Sequence, residues 1–158
     1  GKTITTIETE TSSTTCCVVS YCSNLSMLAL TASEMSEVRI YDATSYSMLG
    51  EPLLLGKDRH ARVLEFNLSG SYLAVGCDDG IDLYEYKRFS PSQAHWSKKH
   101  HYSTASPIES IQFIKTNYIL STTSTSSILH SLLSDAALQC FAAANLCALS
   151  GNTLTLTK

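Results

Sequence analysis

Residues 62–86, RVLEFNLSGSYLAVGCDDGIDLYEY, decide the fold of this chain. Three short apolar, β-rich runs are separated by two segments of turn-forming residues, NLSG at 67–70 and CDDG at 77–80. Asn, Asp, Ser and Gly favour turns because their side chains bond the local backbone or because they tolerate a positive φ. The stretch therefore predicts an antiparallel meander of three strands.

A meander this short cannot bury both of its faces alone, so further strands must pack against it. The same pattern recurs along the chain. In the second strand of the pattern, Leu73 corresponds to Leu28 and to Ile119, each about 45 residues away. In the first strand, Leu64 corresponds to Ile111 and, more weakly, to Val19. A period of about 40 to 45 residues with several strands per period is typical of the four-stranded blades of a β-propeller.

The segment SGSYLAVGCDDGIDLYEY resembles the second and third blade strands of the WD40 family, and the resemblance covers roughly residues 14–133 in three repeats. Within that family the chain is most similar to the propellers of the echinoderm microtubule-associated protein-like (EMAP-like) family. Those propellers often pair a phrase YLAVGSxDxxIxIY with a following SxITxxxW, and SPIESIQF at 106–113 occupies the second place. The resemblance implies an all-β fold, a WD40-type β-propeller segment of about three to four four-stranded blades.

This alignment divides the chain into five segments. They are an outer strand of a preceding blade and a loop at 1–13, WD40 blades at 14–56 and 57–103, a degenerate WD40 blade at 104–143, and a partial blade at 144–158. Residues 136–144 leave two alternatives, because their position predicts an outer strand while their composition suits a helix, and we favour the strand. Since a closed ring needs at least about four blades, we expect the rest of the propeller to lie outside this segment.

The sequence departs from the family in several places, beginning with the absence of the Trp-Asp dipeptide that names it. In the family, a His before the first strand and an Asp in the later turn belong to a hydrogen-bonded set within each blade. The resemblance places His60 and Asp79 in those positions, which gives both a structural role. The third repeat has Thr104 in the His position, so we expect it to be held together by packing alone.

Composition narrows the possible functions. The formal net charge of −3 is contrary to the broad basic surface that nucleic-acid binding needs. No apolar stretch approaches the roughly 18 residues of a membrane span. The six cysteines form no CxxC pair and have no His at a ligand-like offset, which favours thiols in a reducing compartment over a metal site. GxSxG, a Gly-rich phosphate loop and HExxH are all absent, so we expect no enzyme activity and no cofactor.

Two basic clusters form the candidate binding site. Its residues are Lys57, Arg59, His60, Arg62, Lys98 and Lys99. The first cluster extends from Lys57 to Arg62, and the second includes Lys98, Lys99, His100 and His101. Each is predicted to lie in a connection between an outer strand and the next blade, and the two connections are predicted to lie on the same face of the disc. The sequence thus predicts a locally basic face for an acidic protein partner, and the resemblance implies tubulin. Ordinary solvated loop charges are the alternative interpretation.

The functional prediction is a non-catalytic WD40 propeller scaffold, associated with microtubules, the cytoskeleton or the cilium through its blade-connecting loops. It would act in the cytoplasm, on the cytoskeleton or in the axoneme of a cilium or flagellum. The alternative is a scaffold subunit of a trafficking or other multiprotein assembly, which would use exposed apolar residues such as Phe89 and Trp96 and whose binding would persist in salt.

Overall fold

The chain is built from β-strands throughout the residues that the computed structural model describes, which are 17–32, 34–90, 93–115, 117–133, 137–142, 146–150 and 153–157. The strands are β1 (Cys17–Cys22), β2 (Met27–Ala32), β3 (Glu37–Asp42), β4 (Leu53–Leu54), β5 (Val63–Phe66), β6 (Tyr72–Gly76), β7 (Gly80–Ser90), β8 (Gln93–Ser103), β9 (Ile108–Ile114), β10 (Tyr118–Thr123), β11 (Ser126–Ser131), β12 (Ala137–Ala142), β13 (Leu146–Ser150) and β14 (Thr153–Thr157). The predicted all-β class is confirmed. The strand predicted at the N-terminus, at 3–10, lies outside the described residues.

Successive strands form three four-stranded antiparallel sheets, β1 to β4, β5 to β8 and β9 to β12, while β13 pairs with β14 as a hairpin. Each sheet is a meander, because every strand pairs with the next one along the chain. The corresponding residues Leu28, Leu73 and Ile119 lie in the second strands of three separate sheets. β1 contacts β5 and β5 contacts β9, so the first strands of the three sheets lie side by side.

The second sheet is buried on both faces because it lies between the other two. Leu73 and Val75 of β6 belong to a hydrophobic cluster shared with Met27 of the first sheet. Ala74, between them in the chain, belongs to a second cluster shared with Ile108 of the third sheet. Burying an aliphatic side chain contributes about 1.5–3 kcal/mol, so alternate residues of this one strand stabilise two interfaces. That is why its sequence is a continuous apolar run.

The turn from β5 to β6 packs against the turn from β1 to β2. Gly70 has a φ of 75°, and a Cβ there would lie 2.7 Å from Cys22 Sγ and 2.8 Å from Leu25 Cδ1. Glycine alone meets both the backbone conformation and the space. Asn24 Nδ2 donates a hydrogen bond of 2.6 Å to the carbonyl oxygen of Leu68, which ties the two turns together.

Two outer strands differ in length from the sequence prediction. The sequence predicts an outer strand from Tyr46 towards Leu55, interrupted near Pro52, and the structure has an isolated bridge at Met48 and the two-residue β4 on the two sides of Pro52. For the next outer strand the sequence predicts residues 93–99, and β8 continues to Ser103. An outer strand is paired along one edge, so its local sequence pattern constrains its length weakly. At 137–142 the strand alternative is the observed one, as β12.

The prediction that the third sheet is held by packing alone is wrong. His130 of β11 is buried, and its Nε2 lies 3.0 Å from Ser121 Oγ of β10. Tyr102 Oη of β8 donates a hydrogen bond of 2.7 Å to the carbonyl oxygen of Ser131, linking the second sheet to the third. Burial lowers the pKa of His130 to about 4, so the imidazole is neutral at physiological pH.

Candidate partner-binding surface

The structure places the predicted basic residues in two different kinds of element. Lys57, Arg59, His60 and Arg62 lie in the connection from β4 to β5, as the sequence predicts. The second cluster was assigned to the wrong element, because Lys98 and Lys99, with His100 and His101, lie within β8 and not in the connection after it. β8 continues further than its pattern indicates and takes the whole cluster into the sheet.

The two clusters nevertheless meet at one carboxylate. Asp82 of β7 has 0% exposure. Its Oδ2 lies 2.7 Å from Nη1 of Arg59, and its Oδ1 lies 2.8 Å from Nζ of Lys98 and 2.6 Å from Nδ1 of His101. The antiparallel pairing places Asp82 directly opposite His101, and Arg59 reaches it from the connection before β5. The three basic side chains therefore neutralise a buried acid.

The protonation of Asp82 follows from its partners. Burial by itself raises the pKa of this carboxyl, but the hydrogen bonds from Arg59, Lys98 and His101 outweigh burial and hold the pKa below its usual value. The same hydrogen bond to Asp82 raises the pKa of Arg59. Asp82 is thus an ionised, fully buried carboxylate, and removing a partner would leave a buried charge uncompensated.

Most other cations of the predicted site also have carboxylate partners. Arg59 bonds Asp79, with its Nη2 2.8 Å from the Asp79 Oδ1, and Arg62 Nη1 lies 2.9 Å from the Asp78 Oδ1. Lys99 Nζ lies 3.4 Å from Glu85 Oε1 and also bonds Tyr72 Oη at 3.3 Å. Lys57 alone among the five Lys and Arg is exposed without an ion pair in the part of the chain that the structure describes. The predicted basic face is consequently close to neutral.

The structure also reassigns the hydrogen bond expected of His60. Nδ1 of His60 lies 3.4 Å from the carbonyl oxygen of Met35, in the connection between β2 and β3, while the Asp79 carboxylate accepts from Nε and Nη2 of Arg59. Arg59 therefore takes the place beside Asp79 that the family resemblance gives to a His. Asp79 keeps a structural role, as expected.

A concavity of about 530 Å³ lies at the point where the inner strands begin, and we call it the loop-end concavity. It is lined by Val18, His60, Ala61, Arg62, Val63, Asp78, Ile108 and Glu109. Val18, Val63 and Ile108 come from β1, β5 and β9, so each of the three sheets contributes one aliphatic residue. His60 and Arg62 come from the connection before β5, Asp78 from the turn between β6 and β7, and Glu109 from the start of β9. The binding site predicted from the sequence includes His60 and Arg62 but none of the other six lining residues.

The repeat could have indicated two of the aliphatic lining residues. Val18 and Val63 come directly before Val19 and Leu64, which correspond in the repeat, and they are 45 residues apart. Ile108 does not follow this register, because Leu64 corresponds to Ile111 and Val63 therefore corresponds to Ser110. Asp78 and Glu109 give no such signal, because each is an exposed acid near a turn or a strand start.

Cys77, a free thiol next to the Asp78–Asp79 turn, has a structural role. Burial raises the pKa of the Cys77 thiol to about 12, so it is protonated and packs as a small apolar group. Within the described ranges, no three His, Cys, Asp or Glu side chains are placed to hold a metal ion. The same residues include no helix long and apolar enough to cross a membrane.

Trp96, one of the two predicted apolar contact residues, packs within its own sheet. Trp96 of β8 packs against the second sheet, with its ring centroid 5.0 Å from that of Tyr86 and 5.9 Å from that of Phe66. It is half-buried and belongs to the rim of the first hydrophobic cluster. Trp96 thus stabilises the sheet and is not presented to a partner, while the side chain of Phe89 lies outside the described residues.

Comparison with known proteins rests on solved structures, since no family model and no curated protein matches this chain. The chain is similar to the crystal structure of the Cps50 (Swd1) β-propeller domain of Myceliophteria thermophila, with a TM-score of 0.63, 13% identity, and coverage of 78% of this chain and 42% of the other. The fold is that of part of a β-propeller with four-stranded blades.

Two further structures agree with this propeller fold. A chain in the crystal structure of the mitotic checkpoint complex gives a TM-score of 0.57 at 15% identity, covering 78% of this chain and 35% of that one. The computationally designed Ika8 protein gives a TM-score of 0.59 at 14% identity, with the same two coverages. The chain spans less than half the length of the structures that it matches, so it corresponds to part of a propeller. The narrower similarity to EMAP-like proteins stays a prediction.

Proposed function

We propose that this chain is a non-catalytic scaffold that binds protein partners through the loop-end concavity of its propeller. One observation carries the proposal: each of the three sheets contributes an aliphatic residue to the concavity, which is also lined by the charged side chains of Arg62, Asp78 and Glu109. An apolar floor with a polar rim is the usual anatomy of a protein-binding surface. The Arg62–Asp78 pair at this rim is exposed on both sides, so a partner can exchange its bonds at little cost.

Microtubules are the partner that we favour within this proposal, which places the protein in the cytoplasm, on the cytoskeleton or in a ciliary or flagellar axoneme. The resemblance to EMAP-like propellers supports this, and so does the exposed, unpaired Lys57 in the connection that also supplies His60 and Arg62 to the concavity. Arg59 and Lys98 contribute little attraction, because their charges are compensated by Asp82. We therefore expect weak, salt-sensitive binding to the acidic tubulin surface.

Cosedimentation with purified microtubules over a series of NaCl concentrations tests this version. We expect the bound fraction to fall as salt rises and to fall further in Lys57→Glu. Lys87→Glu is the matched control, since Lys87 is an exposed lysine of β7 that does not line the loop-end concavity. Arg59 and Lys98 are left unchanged because they maintain the sheet. Absence of pelleting at low salt, or equal effects of the two variants, would contradict the microtubule proposal.

A scaffold subunit in a trafficking or other multiprotein assembly is the second candidate. Leu25 and Leu68 favour it, because both are exposed leucines in adjacent turns. Apolar contacts of this kind are insensitive to ionic strength, so partner binding that persists at high salt and survives Lys57→Glu would favour this candidate over microtubules.

A further inference from the structure

A second concavity, of about 400 Å³, lies where the inner strands end, and we call it the turn-end concavity. It is lined by Asn24, Asn67, Leu68, Ser69, Phe113 and Lys115. Asn24 follows β1, residues 67–69 follow β5, and Phe113 and Lys115 lie at the end of β9. The loop-end concavity lies at the starts of the same three strands. The two concavities are thus at opposite ends of the inner strands and share no residue.

The turn that carries Leu68 is fixed by its own hydrogen bonds. Asn67 Nδ2 donates to Ser69 Oγ at 3.0 Å and to Ser71 Oγ at 3.2 Å, and Asn67 Oδ1 accepts from the Tyr72 backbone N–H at 3.0 Å. Gly70, at the end of the turn, is packed against the first sheet. Leu68 is nevertheless 84% exposed. An apolar side chain on a turn that is already ordered costs little further backbone entropy when it binds.

Each of the three turns contains a residue with a positive φ. Ser26, Gly70 and Lys115 have φ values of 49°, 75° and 55°. Two of these are not glycine, although a positive φ is unfavourable for residues with a Cβ.

The turn-end concavity is lined by one cation, Lys115, and by no acidic side chain among the described residues. Lys115 is the charged group among its lining residues, and it is exposed with no ion pair in the described part of the chain. Arg59, Arg62, Lys98 and Lys99 are each bonded to a carboxylate. An acidic group of a partner would thus meet an available cation beside the apolar side chains of Leu68 and Phe113.

We propose that the turn-end concavity is a second protein-binding surface, which takes a segment of a partner protein that carries a bulky apolar side chain next to a carboxylate. The apolar side chain contacts Leu68 and Phe113, and the carboxylate pairs with Lys115. This surface is independent of the loop-end concavity, so the chain can join two partners at opposite ends of its inner strands. Its failure would leave binding at the loop-end concavity standing, because neither Leu68 nor Lys115 lines that concavity.

Fluorescence anisotropy with three labelled synthetic peptides tests the proposal on the 158-residue chain. The first peptide alternates Leu and Phe with Asp and Glu, the second replaces its acids with Lys, and the third replaces its apolar residues with Ser. We expect saturable binding of the first peptide alone. Leu68→Ser and Lys115→Glu should each weaken it about tenfold or more, the size of effect found at central contact residues.

Matched controls come from the same chain. Leu54→Ser removes a leucine that is 75% exposed on β4, and Lys87→Glu reverses an exposed lysine of β7, so neither should change the affinity. Circular dichroism should show all four variants folded, since every altered side chain is exposed. Equal binding of the second peptide, no binding of the first, or equal weakening by the controls would overturn the proposal. So would sedimentation showing a dimer that Leu68→Ser dissociates, because the occupant would then be a second copy.

Discussion

Replacing Arg59 with Met should destabilise the fold much more than replacing a basic residue of the predicted site that does not bond Asp82. Arg59 bonds the fully buried Asp82 at 2.7 Å and also donates to the carbonyl oxygen of Leu55 at 2.8 Å. Removing one partner of a buried ion pair costs about 3–5 kcal/mol, and Lys98 still faces Asp82, so we expect about 3 kcal/mol. For an m value of about 2 kcal/mol/M, the urea midpoint should fall by about 1.5 M.

Arg62→Met is the matched control, since it removes an arginine from the same connection. The Arg62–Asp78 pair is 51% and 62% exposed at its two side chains, so the loss should stay below about 1 kcal/mol. A double-mutant cycle of Arg59→Met with Asp82→Asn then isolates the pairwise energy. Equal losses for Arg59→Met and Arg62→Met would refute the reasoning, because Asp82 could not then depend on Arg59.

The acid dependence of stability follows from the same carboxylate. The pKa of Asp82 is lower in the folded state than its unfolded value of about 3.9, so the folded state binds fewer protons here. The stabilisation is complete above the unfolded pKa and is lost as pH falls through the folded one. In urea titrations between pH 5 and pH 3, the native chain should therefore lose more stability than Asp82→Asn, and parallel losses would exclude this origin.

Two further changes test other parts of the fold. Burial lowers the pKa of His130 to about 4, below its unfolded value of about 6.5, so the free energy of unfolding should fall as pH drops from 6.5 towards 4. His130→Gln should reduce this dependence of stability on pH, and an unchanged dependence would contradict the assignment. Gly80→Ala should lower the free energy of unfolding in urea by more than about 2 kcal/mol, because the φ of Gly80 is 143° and a Cβ would overlap the carbonyl oxygen of Tyr102. An unchanged urea midpoint would be inconsistent with that packing.

The sequence predicts the repeat well because the repeat is a matter of side-chain burial. Leu28, Leu73 and Ile119 must be apolar wherever sheets pack face to face, so their spacing along the chain shows how many sheets follow one another. The strand at 137–142 follows from the same periodicity, although its composition also suits a helix. The division into segments at 14–56, 57–103 and 104–143 stays a prediction.

The candidate site could not be predicted in the same way, because it depends on distances between residues far apart in the chain. Asp82 has the pattern of an outward polar residue on an alternating strand, yet it is buried and bonded by Arg59, Lys98 and His101 from two other elements. Which basic residue takes the place beside Asp79 depends on side-chain reach. Arg59 reaches it, whereas His60 lies against Met35.

Nuclear Overhauser effects between the sheets test the central claim, that three separate sheets pack face to face in chain order. The α-protons of Gly70 should give contacts to the Leu25 methyls, joining the first two sheets, and those of Gly76 to the Ile108 methyls, joining the second and third. Observing both sets together would establish the arrangement. Their absence, with contacts that instead pair Leu28, Leu73 and Ile119 within one continuous sheet, would contradict it.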